Sequence, residues 1–412
     1  MTTTRAQRGP RADPPRDPDA SAAPRRSGSA TAIIVVQKVF GAETGTFFLL
    51  LGTTLFLLAF GLVMVLSSSS IEDGASSGHD FFSSFTRQGL YALIGVPLML
   101  LASRMPIGFW KKWAWPAVLG TGALQLLVFS PLGLSFQGNQ NWIQIGAFTG
   151  QPSELVKLAL ILWVSWILAR KRSLLDDWKH VFLPIAPVVG VAIGLVLLGK
   201  DLGTAIIMGM IVLGCLFYAG VRLRIIGVAL VVAGAIGLLL AQTGASRTSR
   251  ISAFLTGCTR AANYKTDCWQ TVHAWWGIAS GGIFGSGLGE SKVKWSWLPD
   301  ADTDFIFAII GDELGFIGAV LVLALFIVLT IAFVRIIRTA RDPFAKIVTS
   351  GVMIWLIGQA FVNIAVVLGL LPVLGVPLPL ISAGGSSLIA SLVGIGIVLS
   401  FARHQPVVEP VS

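Results

Sequence analysis

Long apolar stretches separated by short polar segments dominate the chain between residues 45 and 404. Ten stretches are about as long as the roughly 15–25 residues that a helix needs to cross the hydrocarbon core of a bilayer, which is about 30 Å thick, or somewhat longer. The predicted spans are Phe47–Leu66, Gln88–Ala102, Trp115–Phe129, Leu155–Ala169, Val181–Leu198, Thr204–Gly220, Ile225–Ala241, Phe305–Val334, Lys346–Leu370 and Leu388–Phe401. The pattern therefore predicts an all-α polytopic membrane protein with about ten transmembrane helices.

The positions of Lys and Arg predict how these spans are oriented. With the N-terminus in the cytoplasm, most of the 30 Lys and Arg residues lie in the inner segments, so the positive-inside rule places both termini there. Residues 1–44, with their Arg, Pro, Ala and Ser, are expected to form a disordered basic cytoplasmic tail. Residues 45–404 form the transmembrane domain, and residues 405–412 form a second, short cytoplasmic tail.

Composition agrees with this class of protein. Hydrophobic residues make up 54% of the chain and charged residues only 12%, while the net charge is +10. Because the positive charge is spread over short loops, it is interpreted as topology and contact with anionic lipid, and nucleic-acid binding is not expected.

The outer connection formed by residues 242–303 is predicted to be a large extracytoplasmic loop between helices 7 and 8. Its positive charge predicts an anion site, with an ordinary solvated loop as the alternative, since long loops are exempt from the insertion rule. Its glycine-rich run, Gly281–Gly289, could approach a ligand closely or bend sharply. The basic residues of the loop are Arg247, Arg250, Arg260, Lys265, Lys292 and Lys294.

Two cysteines, Cys258 and Cys268, lie in the same loop on the oxidising side of the membrane. Their spacing predicts a local disulfide, and two free thiols are the alternative. The four histidines are dispersed, so the sequence predicts no transition-metal site. No cofactor is evident, and the need for a divalent cation is left open.

Five carboxylates are predicted at or within the membrane, where an ionisable group is a functional-site hypothesis by default. In a continuous helix, Asp312 would lie about 12 Å deeper than Asp304, and Glu313 would point to the opposite face. Neither could pair with Asp304 as a glycosidase-like acid and base, which need carboxyl groups about 5–9.5 Å apart. Asp304 is therefore the candidate reactive group, with helix capping as the alternative. Asp312 and Glu313 are expected to form hydrogen bonds between helices.

The two remaining carboxylates are Glu154 and Asp201. Glu154 is predicted in the first turn of a helix that Pro152 or Ser153 begins, where an acid complements the helix dipole. Lys157 follows at i+3, so the two charges can partly neutralise each other.

A single carboxylate beside cations suits transfer from a diphosphate-activated donor. The diphosphate leaves without a proton donor once cations neutralise it, so only a base for the attacking hydroxyl is required. This argument selects a type of reaction and no particular substrate.

A series of motifs in one order extends over about residues 45–404: Gln151-Pro-Ser-Glu154 with Lys157, Asp201-Leu-Gly-Thr-Ala205, Trp269-Gln270, Gly281–Gly289, Leu298-Pro299, Thr303-Asp-Phe-Ile-Phe307 and Leu378-Pro-Leu-Ile-Ser-Ala-Gly-Gly-Ser-Ser387. In this combination the chain resembles the SEDS family of bacterial shape, elongation, division and sporulation proteins. The long N-terminus, the Arg247-x-x-Arg250 pair and the Phe401–His404 ending are most similar to the cell-division branch. The elongation branch is the alternative.

The resemblance implies a peptidoglycan glycosyltransferase that polymerises lipid II at the outer face of the cytoplasmic membrane, at the division septum. It implies inversion, undecaprenyl diphosphate as the leaving group, and Asp304 as the catalytic base. The implied partners are a class B penicillin-binding protein and other membrane proteins of division. A lipid II flippase is the rival function.

The resemblance also implies a substrate cavity. Lys200 stands where the family commonly has Pro and could supply the cation that Asn141 lacks. The candidate substrate-binding residues are Trp142, Glu154, Lys157, Lys200, Asp201, Arg247, Arg250, Lys292, Lys294, Ser382, Gly384, Gly385, Ser386 and Ser387.

Overall fold

The computed structural model describes residues 44–75, 83–136, 139–146, 148–241, 245–258, 268–291 and 298–403. These residues belong to one compact, predominantly helical unit. Its helices are α1 (Gly45–Ala75), α2 (Ser83–Ala102), α3 (Ile107–Leu126), α4 (Pro152–Arg170), α5 (Trp178–Leu198), α6 (Leu202–Ala219), α7 (Leu223–Ala241), α8 (Ala245–Thr256), α9 (Trp269–Gly281), α10 (Ile306–Glu313), α11 (Gly315–Thr339), α12 (Pro343–Met353), α13 (Gln359–Val367) and α14 (Ser386–Arg403).

Eight helical stretches of the described chain are long and apolar enough to cross a membrane. They are α1, α2, α4, α5, α6, α11, the α12–α13 stretch and α14. The polytopic helical class predicted from the sequence is confirmed. Helices α3 and α7 lie at the third and seventh predicted spans but are not among these eight stretches, so the number of ten stays a prediction.

The centre of the molecule is formed by α4, α14 and the α12–α13 stretch. Between 72% and 78% of these spans is buried inside the protein, against 17% of α5. Helix α4 packs against α3, α6, α12 and α14. The polar side chains of the central helices are therefore shielded from both lipid and water, and they must find partners within the protein.

The predicted span Phe305–Val334 is not one helix. Helix α10 ends at Glu313, and α11 starts at Gly315, whose φ of +65° interrupts the helical backbone. This break follows Asp312 and Glu313, which both lie in α10, so it does not test the estimated depth and rotation of Asp312 relative to Asp304, which stay predictions. The predicted hydrogen bonding of Asp312 and Glu313 between helices is confirmed, because Ser280 of α9 donates to Asp312 and Ser67 of α1 donates to Glu313.

The glycine-rich run completes the backbone hydrogen bonds of this helix break. The amides of Ser286 and Gly287 donate to the last carbonyls of α10, on Asp312 (2.9 Å) and Glu313 (3.0 Å). The carbonyl of Gly282 accepts from Phe316 at the start of α11 (2.9 Å). The glycines thus approach other backbone in the protein, and their approach to a ligand stays a prediction. A Cβ on Gly281 or Gly285 would collide with carbonyls of α10, so the close approach requires glycine there.

A small antiparallel sheet lies between α3 and α4, where the hydropathy pattern predicted no span. Strands β1 (Gly133–Phe136), β2 (Asn139–Ile145) and β3 (Phe148–Gly150) pair in that order. The amide of Gln140 in β2 donates to Gly199 O at the end of α5 (3.0 Å). Tyr91 of α2 donates to Thr149 O in β3 (2.9 Å). The sheet therefore ties α2 and the α5–α6 turn to the end of the molecule where α4 begins.

One turn of π-helix, Ile354–Gly358, joins α12 to α13. Such turns add one residue to a helix and rotate the side chains that follow, and they are frequent at functional sites. The turn precedes Gln359 and Asn363, two buried carboxamides in an otherwise apolar span.

Candidate functional site

Asp304 lies in a tight turn immediately before α10. The amides of Thr303, Asp304 and Phe305 all point at one carbonyl, that of Asp300, at 3.1–3.2 Å. Asp300 has a φ of +58°, which closes the turn. Phe305 is the residue that precedes the first turn of α10, and no side chain caps that helix. The alternative interpretation of Asp304 as a helix cap is therefore wrong.

The outer side of this turn is held by the segment that leads into α14. Ala383 N donates to Asp302 O at 2.9 Å. Ser382 Oγ donates to Thr303 O and itself accepts from Leu378 N. Ser382 is almost fully buried, so the structure shows it supporting the backbone beside Asp304.

Asn363 of α13 donates a hydrogen bond to the next carbonyl in the chain, that of Asp304. Its Nδ2 atom donates to Asp304 O (2.8 Å) and to Val376 O (2.7 Å). Gly375, with a φ of +69°, passes the carboxylate so closely that a Cβ there would lie 3.6 Å from Asp304 Oδ2. Three successive carbonyls, those of residues 302 to 304, are thus fixed by hydrogen bonds from residues 363 to 383.

The environment of Asp304 makes its carboxylate a stronger base than usual. Burial, followed by the negative charges of Asp300, Asp201 and Asp302, raises the pKa of Asp304 to about 7, and the positive charge of Arg250 opposes the rise. A carboxylate with this pKa is substantially ionised at neutral pH and can still accept a proton readily. The side chain keeps partial exposure, so a ligand can reach it.

Asp201 caps α6 and connects three helices at the same end of the molecule. Its Oδ1 atom accepts from Thr204 N (2.8 Å), and its Oδ2 atom accepts from Gln151 Nε2 (3.0 Å). Gln151 N, just before α4, donates to Ser386 Oγ at the start of α14 (2.9 Å). Asp201 therefore lies in the region around Asp304 and is connected to Ser386 through Gln151, while the binding of substrate by Asp201 and Ser386 stays a prediction.

Glu154 and Lys157 form a fully buried ion pair with a 2.7 Å separation and side-chain exposures of 2% and 1%. The predicted mutual neutralisation is confirmed. Lys157 Nζ also donates to Gln359 Oε1 (3.1 Å), and Gln359 Nε2 donates to Pro377 O (2.9 Å). The structure thus places the pair behind the segment that flanks Asp304, where it supports that segment, and away from the exposed surface that a substrate-binding residue needs.

The remaining candidate substrate-binding residues differ in how exposed they are. Trp142 is partly buried in β2, and Ser387 is buried. Lys200 is exposed and follows Gly199, which is hydrogen-bonded to the residue before Asn141. This backbone contact brings Lys200 near Asn141, and its replacement of the cation that Asn141 lacks stays a prediction. Gly384 and Gly385 are partly exposed; Lys292, Lys294 and the side chain of Arg247 lie outside the described residues.

Three site residues were missed in the sequence, and all are carboxamides within spans. Gln88 of α2 donates to Ser382 O (3.0 Å) and accepts from Gly385 N (3.4 Å). Gln359 and Asn363 support the opposite side of the same segment. The signal that could have identified them is a neutral polar side chain in an apolar helix, which needs an internal partner.

Cys258 and Cys268 are joined by a disulfide, with their Cα atoms 5.4 Å apart. The bond connects the end of α8, which carries Arg250, to the start of α9. It therefore restrains the position of the cation that faces Asp304.

We expect protein purified without reductant to yield a cross-linked Cys258–Cys268 peptide in mass spectrometry. Closure of this short loop stabilises the fold by up to about 3 kcal/mol in the chain-entropy interpretation. Cys215, which is buried and unbonded, is the internal control and should be alkylated only after denaturation. Recovery of Cys258 and Cys268 as separately alkylated thiols would contradict the expectation.

Fold and site together define a class: a polytopic membrane protein with one activated carboxylate at an end of its central helices. The model of the FtsW/RodA/SpoVE family, described as a cell cycle protein, matches residues 48–406. The chain belongs to this family.

Individual relatives cover most of the chain. A protein from Geobacter sp. named "Probable peptidoglycan glycosyltransferase FtsW" is 41% identical over 352 residues, which are 85% of this chain and 94% of the relative. A protein of the same name from Mycobacterium tuberculosis is 38% identical over 373 residues, covering 89% of this chain and 70% of the relative.

Solved structures share the fold. The rod shape determining protein RodA of Thermus thermophilus superposes with a TM-score of 0.64 at 27% identity, covering 87% of this chain and 97% of RodA. A chain from "Structural coordination of polymerization and crosslinking by a peptidoglycan synthase complex" superposes with a TM-score of 0.69 at 26% identity, with coverages of 87% and 98%.

Proposed function

We propose that this protein is a peptidoglycan glycosyltransferase of the cell-division type, which polymerises lipid II at the outer face of the cytoplasmic membrane. The observation that carries the proposal is the Asp304 carboxylate, whose backbone is held on both sides and whose pKa is raised to about 7. The relatives named FtsW, at 38–41% identity, support the reaction and favour the division type over the elongation type.

In the proposed reaction, Asp304 accepts the proton of the 4-hydroxyl of the acceptor sugar. The hydroxyl oxygen forms a bond to the anomeric carbon of the donor as the bond from that carbon to the diphosphate breaks. The electron pair leaves with undecaprenyl diphosphate, and the anomeric configuration inverts. Arg250 provides positive charge on the Asp304 side of the site, which favours the charge that develops on the diphosphate.

The proposed location and partners follow from the predicted orientation in the membrane and from the similarity to known proteins. Both termini would be cytoplasmic, so Asp304 would face the outside at the septum. A class B penicillin-binding protein would cross-link the new strand, together with other membrane proteins of division. The similarity to a chain of a structure concerned with polymerisation and crosslinking by a synthase complex supports that partner.

A lipid II flippase is the rival function. A flippase needs polar groups along a path through the bilayer, whereas Asp304, Asp201 and the start of α4 meet at one end of the molecule. Asp312 and Glu313, the carboxylates within the break between α10 and α11, are buried and hydrogen-bonded to neighbouring helices. This arrangement favours polymerisation.

The deciding experiment is incubation of the purified protein with lipid II in proteoliposomes, with and without a partner transpeptidase. Polymerisation predicts glycan strands of many disaccharides, and Asp304→Asn is the inactive control. Movement of lipid II between leaflets without strand formation would overturn the proposal.

The lysines of the outer loop give a second test. Because the leaving diphosphate needs cations, replacing Lys292 and Lys294 together by Gln is expected to reduce turnover strongly. The matched control is Lys112→Gln with Lys179→Gln, two exposed lysines. Lys111 is unsuitable as a control because it forms a 2.6 Å ion pair with Asp342.

Turnover is measured with lipid II at two ionic strengths. If these lysines only anchor the loop to anionic headgroups, high salt should reproduce the defect in the unmodified protein. Equal losses from the two double variants would show that Lys292 and Lys294 have no special place in the site.

A further inference from the structure

Asn363 links two backbone segments that approach the Asp304 carboxylate from different sides. Its side chain is 1% exposed. The Nδ2 atom donates one hydrogen bond to Asp304 O at 2.8 Å and a second to Val376 O at 2.7 Å. Val376 follows Gly375, the residue that lies against Asp304 Oδ2. A single planar amide group therefore sets the spacing between the turn that carries the carboxylate and the segment that covers it.

Helix α13 presents two side-chain amides to the segment that contains Val376 and Pro377. Gln359 and Asn363 are four residues apart, so they lie on one face of α13. Gln359 Nε2 donates to Pro377 O (2.9 Å), the next carbonyl after Val376 O. Gln359 Oε1 in turn accepts from Trp355 Nε1 in the π-turn (3.1 Å) and from Lys157 Nζ. The buried Glu154–Lys157 ion pair of α4 is thereby connected to the Asp304 region through Gln359.

Simple helix packing does not account for Asn363. An interhelical amide that serves stability alone would satisfy both its donor and its acceptor atoms. Asn363 Oδ1 is buried and accepts no hydrogen bond within the described part of the chain. Only the donor half of the amide is used, and both donated bonds go to the two segments around Asp304.

We propose that Asn363 is a positioning residue that holds the Asp304 turn and the Gly375–Pro377 segment together, so that the carboxylate is kept oriented and partly desolvated for its reaction. The inference rests on the proposed function of Asp304. It assigns to α13 the task of preorganising the base, and it makes Gln359 a second support further from the reacting atoms. A misplacement of about 1 Å at such a group can cost a factor of about 10² in rate.

The charges that face Asp304 determine how a pH profile reports this role. They are Asp300 and Asp302 in its own turn, Asp201 at the start of α6, and Arg250 on α8. Burial is the largest cause of the raised pKa of Asp304. If the hydrogen bonds of Asn363 are lost, water reaches the Asp304 carboxylate more freely, and the pKa of Asp304 falls towards its ordinary value.

The test compares Asn363→Ala with Gln125→Ala in the full-length protein, using lipid II polymerisation. Gln125 is a matched control: it is a carboxamide on α3, 1% exposed, whose side chain has no hydrogen-bond partner among the described residues. Folded protein is quantified by size-exclusion chromatography in detergent before each assay, and kcat and KM are measured across pH. Asn363→Asp, which keeps the shape and removes donor capacity, is the second variant.

We expect Asn363→Ala to lower kcat by at least about tenfold per folded molecule with little change in KM, and to move the acid limb of kcat to lower pH. Asn363→Asp should also lose kcat, whereas Gln125→Ala should match the unmodified protein per folded molecule. Unchanged kcat and an unmoved acid limb in folded Asn363→Ala would overturn the inference while the proposed function stands. Equal losses in Asn363→Ala and Gln125→Ala would overturn it too, by showing a general packing effect. Absence of polymerisation by the unmodified protein would instead reject the proposed function.

Discussion

Replacing Asp304 by Asn is expected to lower polymerisation by a factor of about 10²–10⁴, the contribution typical of a positioned general base. The amide has nearly the same size, and the hydrogen bonds that fix residue 304 involve its backbone N–H and C=O, so the turn should remain in place. The amide cannot accept the proton of the attacking hydroxyl. The measurement is the rate of glycan strand formation from lipid II, with binding of the partner transpeptidase as the check that the variant is folded.

The pH dependence provides an independent readout of the same group. Because the base must be ionised, the rate of the unmodified protein should rise with pH and level off above about 7, the pKa of Asp304. Asp300→Asn is the matched control. Asn tolerates the left-handed backbone that Asp300 adopts, and removing the negative charge of Asp300 lowers the pKa of Asp304, so the acid limb should move to lower pH. Near-normal activity of Asp304→Asn would exclude Asp304 as the base.

Lys157→Met is expected to destabilise the protein by about 3–5 kcal/mol, the usual cost of leaving one partner of a buried ion pair uncompensated. Glu154 is 2% exposed, and its Oε2 atom already has no hydrogen-bond partner within the described residues. Removing the ammonium group would leave the carboxylate in an apolar interior with no opposite charge. The variant should show a large loss of thermal stability in detergent and a low yield of folded protein.

The double variant Glu154→Gln with Lys157→Met separates the charge effect from packing. With both charges removed, much of the lost stability should return, because the desolvation cost of an ion pair roughly offsets its attraction. Lys112→Met, at an exposed position of α3, should leave the melting temperature nearly unchanged. If Lys157→Met were as stable as Lys112→Met, the buried pair would have no role in supporting the region behind Asp304.

The membrane class and most span positions were predictable from the sequence, because a helix in lipid must be both long and apolar. The break between α10 and α11 was not. Residues 305–334 read as one apolar run, and only the packing of the glycine-rich run against Asp312 and Glu313 provides the hydrogen bonds that allow the helix to stop and restart. The small sheet was missed for a related reason: its strands are short, and they are stabilised by contacts with α2 and the α5–α6 turn.

At the site, the sequence by itself determined which residue to suspect. An aspartate at the mouth of an apolar span is costly unless it has a task, and the motifs around Asp304, Asp201 and Ser382 identified the family. The tertiary structure decided the role of each neighbour. It buried Glu154 and Lys157 behind the site, and it brought Asn363, 59 residues further along the chain, against the carbonyl of Asp304. Such assignments depend on which helix faces meet, and hydropathy along a single chain does not contain that information because lipid-facing and protein-facing apolar residues look alike.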